Sequence, residues 1–131
     1  MSASPTSRTL GALRDEGWIA AVVEHFNPFA KIRQDLFGFA DIIAFKDDKV
    51  LLVQCTSGSN VASRMTKLQA SDIAKVWADG ATSRRLQVWG WAQRGARGKR
   101  KRWTARRLTL FTVRTWNGLK WVLHDFEEPT P

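Results

Sequence analysis

The sequence predicts an α/β (α+β) domain, a central mixed β-sheet flanked by helices and ending in a C-terminal β-hairpin. Two observations predict it. Stretches rich in β-formers alternate with stretches of helical spacing, in the order α-β-(β)-β-β-α-β-β-β. Two almost continuous apolar runs, 40–45 and 50–56, are separated only by the polar stretch from Lys46 to Lys49. That pattern reads as a tight hairpin whose strands lie centrally in a sheet, buried on both faces. With 131 residues the chain suits one domain spanning 1–131. Its core is expected over 7–92, and a basic loop and β-hairpin over 94–124.

The elements follow in order. Ser7 to Glu16 reads as a short helix, with Leu10 and Leu13 three apart, Ser7 or Thr9 as the cap and Gly17 as the stop. Trp18 to His25 reads as a strand, Asn27-Pro28 as a turn, Lys31 to Asp35 as a second extended piece and Leu36 to Phe39 as an apolar bend. After the hairpin, Val61, Met65, Leu68, Ile73 and Trp77 carry helical spacing, so one helix is expected over 61–77, ended by Asp79-Gly80. Leu86 to Ala92 is a strand added in parallel through that helix. Arg94 to Arg102 is a basic, glycine-containing loop. Strands over 107–116 and 119–124 flank Asn117-Gly118, a type I′ turn signal, and the stretch 127–131 is expected to fray.

Charge is distributed unevenly. The net charge is +9, yet residues 80–124 hold twelve Lys and Arg and no acid, so the remaining nine basic and twelve acidic residues sum to −3. A one-signed region draws polyanions from a distance and gains affinity by releasing their counterions. Nucleic acid is therefore the expected partner, through Arg94, Arg97, Lys99, Arg100, Lys101, Arg102, Arg106 and Arg107. Trp103 lies among them, placed to stack on a base or to anchor the hairpin. A merely solubilising surface is the bland alternative. One cysteine allows no internal disulfide, and with two distant histidines it makes a Cys/His zinc site a poor expectation. No apolar run nears the roughly 20 residues of a membrane span, and no signal-peptide pattern opens the chain, so a soluble cytoplasmic protein with no membrane partner is expected.

Chemistry concentrates at one end of the hairpin. Asp41 opens one strand; Gln54 and Thr56 close its partner, two residues apart and so on one face. Polar groups on apolar central strands are costly unless satisfied, so the cluster is either a site or a hydrogen-bonded structural feature. Cys55 falls on the other face as a core thiol.

These stretches resemble the PD-(D/E)XK nuclease superfamily, closest in pattern to archaeal-type Holliday junction resolvases and related phage nucleases. The matching pieces are Leu13 to Trp18, the stretch Gly38-Phe39-Ala40-Asp41 running on to Phe45, and Leu51 to Ser57, within roughly 7–92. The resemblance implies a restriction-endonuclease-like core, a DNA endonuclease activity on duplex or branched substrates, Mg²⁺ or Mn²⁺ as the cofactor with no small-molecule cofactor, a homodimer, and a phage or mobile-element origin. It also implies that Asp41 and Gln54 hold the metal, with the Cys55 backbone carbonyl as a further contact. Thr56 would position water or phosphate. The departures are specific: Gln54 replaces the family's acid, Thr56 replaces its lysine, and its helix-borne glutamate falls near Ser7 or Thr9. Arg64 and Lys67, on the first turns of the following helix, are the candidates for the missing cation, and Glu24 and Asp35 for a second carboxylate. A catalytically inactive DNA-binding module, or a basic domain that meets an acidic protein, remains open.

Overall fold

The computed structural model describes residues 3–79 and 83–126, without the side chains of Phe26, Asn27, Arg33, Asp125 and Phe126. Gly80 and the tail 127–131 lie outside those residues. Helix α1 spans Pro5–Asp15; the Ser4 hydroxyl accepts from the Ser7 N–H at 3.1 Å and a proline opens the first turn. Gly17, at φ 93°, turns the chain out of the helix. Strand β1 follows at Ile19–Val22.

The expected strand 18–25 is shorter than the sequence suggests. Strand β1 pairs with β4 (Ile42–Lys46), whose ladder opens at Ile42, so Val22 is the last residue of the strand register, and the Val23 N–H makes one further bond to Asp41 O. The chain then leaves the sheet as a two-stranded ribbon, β2 (His25–Asn27) against β3 (Ile32–Gln34), and returns through an isolated bridge between Leu36 and Ala40. Phe37 (φ 57°) and Gly38 (φ 82°) shape the bend.

The hairpin read from sequence is β4 with β5 (Lys49–Ser57), in register Ile42↔Val53 to Lys46↔Lys49. A 3₁₀ turn at Gly58–Asn60 leads to α2 (Val61–Gln69) and α3 (Asp72–Ala78). The single helix expected over 61–77 is thus two. Ala70 closes α2, and the Ser71 hydroxyl starts α3 by accepting from the Ala74 N–H at 3.2 Å. The apolar spacing runs through the break because both helices press on the same sheet face, through Val61, Met65, Leu68 and Ala74.

Strand β6 (Arg84–Arg94) returns parallel to β5, and β7 (Arg102–Thr115) and β8 (Gly118–Phe126) complete an antiparallel hairpin. The basic loop is accordingly the shorter stretch 95–101. Among the described residues the fold is α+β: a six-stranded mixed sheet in the order β1-β4-β5-β6-β7-β8, with three α-helices. α1 covers one face over Leu13, Ile42, Leu51, Val53 and Trp89; α2 and α3 cover the other over Leu52, Leu86, Val88, Leu108 and Leu110. Gly90 lets the 3₁₀ turn and α2 close on β6: a Cβ there would overlap Val61 Cγ2 and sit 3.3 Å from Gly58 Cα. Among the described residues no helix is long and apolar enough to cross a membrane.

The strand directions decide where function can gather. The C-terminal ends of β1, β5 and β6 and the N-terminal ends of β4 and β7 lie at the same end of the sheet. The β2–β3 ribbon, the ends of the central hairpin and the basic loop 95–101 all emerge there. At about 4.8 Å per strand, β4 and β7 stand about 14 Å apart, with the C-terminal ends of β5 and β6 between them.

Candidate metal centre

Asp41 precedes β4 by one residue, and its N–H still donates to Val53 O at 2.9 Å, which continues the ladder and sets it beside Gln54. Its Oδ2 accepts from the Cys55 N–H at 2.7 Å, so the carboxylate is oriented by the backbone of the neighbouring strand. Glu24 and Asp35 flank the ribbon, one just before β2 and the other just after β3. The fold brings both to Asp41: one oxygen from each of the three carboxylates lies within 4.8 Å of the other two.

These groups line a cleft of about 270 Å³, together with Ser4, Pro5, Thr6, Gln54, Cys55 and Arg64. Three acids so close repel one another, and Asp41 is only 5 % exposed. Burial pushes its carboxyl from 3.8 to about 7; Asp35 and Glu24 add to the rise, against the Cys55 N–H. Gln54 is 2 % exposed, and its Oε1 is buried with no hydrogen-bond partner among the described residues. An orphaned buried acceptor costs about 1–3 kcal/mol. A cation beside the three carboxylates would satisfy it. The donors are carboxylate and amide oxygens, which is the set that hard divalent cations such as Mg²⁺ and Mn²⁺ take. The site residues therefore fit such an ion.

Cys55 also lines the cleft, but burial pushes its thiol up to about 12. In the metal-free protein its thiol is therefore neutral at neutral pH. Its N–H, bonded to Asp41, is the contribution the geometry shows; the sequence reading offered its carbonyl. Arg64, on the first turn and a half of α2, lines the cleft, and its Nε is buried without a partner among the described residues. Two of the sequence candidates do not reach it. Lys67 is exposed and Thr56 is buried at 5 %, and neither lines the cleft. Thr56 lies two residues past Gln54, in the row Thr56–Gly90–Arg106 across β5, β6 and β7. Thr9, one of the two residues named from sequence in place of a helix-borne glutamate, is fully buried; its hydroxyl donates to Pro5 O and accepts from Trp91 Nε1, both at 2.8 Å.

The basic residues divide into two groups. Arg94, Arg97, Lys99, Arg100, Lys101 and Arg102 are exposed on the loop and its two flanking strand ends, and Arg106 is exposed on β7. Arg107 is engaged within the fold. It makes a two-pronged ion pair with Glu16 at 2.8 and 2.9 Å and lies 3.7 Å above the Trp89 ring, tying β7 to α1. Trp103 is 40 % exposed, with the Arg8 guanidinium 3.9 Å from its ring centroid, so it anchors the base of the loop to α1. The sequence carries no signal for either Arg–Trp stack, since each joins residues more than 15 positions apart.

No family model, curated protein or solved structure matches the chain.

Proposed function

We propose that the chain is a divalent-metal-dependent DNA nuclease of the PD-(D/E)XK kind, built on a restriction-endonuclease-like core. The observation that carries this reading is the convergence of half-buried Glu24 and Asp35 on buried Asp41, beside the Gln54 Oε1 that has no partner among the described residues, at the sheet end from which the basic loop projects. Asp41, Asp35 and Glu24 would hold the ion, with Gln54 as a neutral ligand. The bound metal supplies an activated water and stabilises charge at the phosphodiester. The residues do the rest. The Cys55 N–H fixes the Asp41 carboxylate, Arg64 presents a guanidinium to a phosphate, and the loop cations hold the backbone on either side.

This arrangement answers the two departures seen in the sequence. Glu24 and Asp35 stand in for the acid missing from β5, and Arg64 for the missing lysine. A second reading, a DNA-binding module without catalysis, draws on the same departures, because no lysine and no Thr56 lines the cleft.

Mn²⁺ titration followed by calorimetry tests the site. One saturable site is expected in the wild type. Gln54→Glu adds a negative ligand and is expected to tighten Mn²⁺ about tenfold. Unchanged affinity in Gln54→Glu would remove Gln54 from the metal shell, and an absence of binding in the wild type would refute the centre.

A further inference from the structure

A second cavity, of about 230 Å³, opens on the α1 face of the sheet. It stands apart from the metal cleft: Leu51 and Arg85, which line it, pair near the start of the parallel β5–β6 ladder, whereas the cleft takes Gln54 and Cys55 near its end. The step from Leu51 to Gln54 along β5 is about 10 Å. The floor is apolar, with Leu13, Leu51 and Trp89 each 1 % exposed. Half-buried Trp18 adds an indole, and its backbone N–H donates to Leu13 O at 3.0 Å, which fixes the chain there. Most polar groups of the lining have partners already. Trp89 Nε1 donates to Gln87 Oε1 at 2.8 Å, Gln87 Nε2 donates to Thr109 Oγ1 at 3.2 Å, and Arg107 is paired with Glu16. Arg85 is the exception. It is half-buried and makes no ion pair among the described residues, unlike Arg107 and Arg114. Its backbone is held in place, because Arg85 O accepts from Trp77 Nε1 at 2.8 Å. A charge drawn partly out of water without a counterion is costly, so this cavity is short of one anion.

We propose that the cavity binds a small aromatic carboxylate, with its ring on the apolar floor beside Trp18 and its carboxylate on the Arg85 guanidinium. Size and charge select this class. A cavity of about 150 Å³ holds a benzene ring, so one of about 230 Å³ is filled by a single ring with a small charged group. Two guanidiniums, Arg85 and Arg107, against one carboxylate, Glu16, give the lining a net charge of +1. A carboxylate cancels that charge, whereas a phosphate dianion overshoots it. A guanidinium also meets a carboxylate through two parallel hydrogen bonds. The carboxylate belongs either to a free aromatic acid or to the C-terminal residue of a peptide, which present the same chemistry to Arg85. No residue of the metal cleft lines this cavity, so the site is independent of the nuclease reading.

The test titrates benzoate, benzyl alcohol, phenyl phosphate and N-acetylphenylalanine into the full chain. Binding is read from the indole N–H resonances by NMR, that of Trp18 being identified with Trp18→Phe. Benzoate is expected to move the Trp18 resonance with a Kd of about 1 mM, ordinary for a ligand of its size. Benzyl alcohol, the same ring without the charge, is expected to bind about tenfold more weakly, and Arg85→Gln to weaken benzoate about tenfold. Arg85→Lys keeps the charge without the two-pronged geometry and is expected to fall between wild type and Arg85→Gln. Benzoate binding that is absent, equal in wild type and Arg85→Gln, or no tighter than that of benzyl alcohol would overturn the site. Phenyl phosphate binding more tightly than benzoate would overturn its assignment to a carboxylate. N-acetylphenylalanine binding more tightly than benzoate would assign the site to a peptide terminus, and more weakly to a free acid; either supports it. None of these outcomes bears on the nuclease reading.

Discussion

Replacing Asp41 with Asn is expected to make the metal-free protein more stable at pH 8 while removing its affinity for Mn²⁺. The wild-type carboxyl titrates near 7 in the fold and near 3.8 in the unfolded chain, chiefly because burial disfavours its charge. The folded state thus holds a proton that the unfolded state has already released. The stability from this group is complete below pH 3.8, declines as pH rises from there, and is lost above about pH 7. A rise from 3.8 to about 7 corresponds to on the order of 4 kcal/mol against the ionised form. Asn carries no charge and can still accept from the Cys55 N–H. Its melting temperature at pH 8 should therefore exceed that of the wild type by roughly 10 °C, and the gap should close towards pH 4. The same titration governs the metal. Below pH 7 each unit of acidification should weaken Mn²⁺ about tenfold in the wild type, because binding must displace one proton. Saturating Mn²⁺ should reverse the wild type's deficit at pH 8. A variant no more stable than wild type at pH 8 would show that Asp41 is not held under strain.

Neutralising the loop as Arg97→Gln, Lys99→Gln, Arg100→Gln and Lys101→Gln together is expected to lower duplex affinity roughly a hundredfold at moderate salt. It should also reduce the slope of log affinity against log salt by about 3.6, since each of the four phosphate contacts contributes about 0.9. All four side chains are exposed, so melting temperature should not change. Arg107→Gln should behave in the opposite way. Its guanidinium is spent on Glu16 and Trp89, so stability should fall while the salt slope holds. If the loop variant binds DNA as the wild type does, the positive excess is not the interface.

What the sequence made legible was local. The central hairpin could be read because a polar turn between two apolar runs is a short-range signal, and it sets Asp41 beside Gln54 without help from elsewhere. The parallel return of β6 followed from the helical stretch between two buried strands. The convergence of Glu24 and Asp35 on Asp41 was only an option among others, because it depends on a three-residue ribbon folding back over the end of the sheet. No periodicity encodes that. The break between α2 and α3 was hidden for a different reason: two helices pressing on one face keep the apolar spacing of a single helix. Charge counting could not separate Arg107 from its neighbours, since what distinguishes it is a Trp ring and a Glu carboxylate brought in from other elements. Thr56 and Lys67 fall outside the cleft because each lies further along its element than the residue that lines it, Thr56 two past Gln54 on β5 and Lys67 three past Arg64 on α2.

The most direct measurement is cleavage of end-labelled continuous and bulged duplex DNA by wild type and Asp41→Asn, with Mg²⁺, with Mn²⁺ and with a chelator. A metal-dependent nuclease should cut in the wild type with either ion, stop with the chelator, and lose at least about a thousandfold in rate in Asp41→Asn. Cutting that survives in Asp41→Asn, or no cutting by a wild type that binds both Mn²⁺ and DNA, would contradict the account.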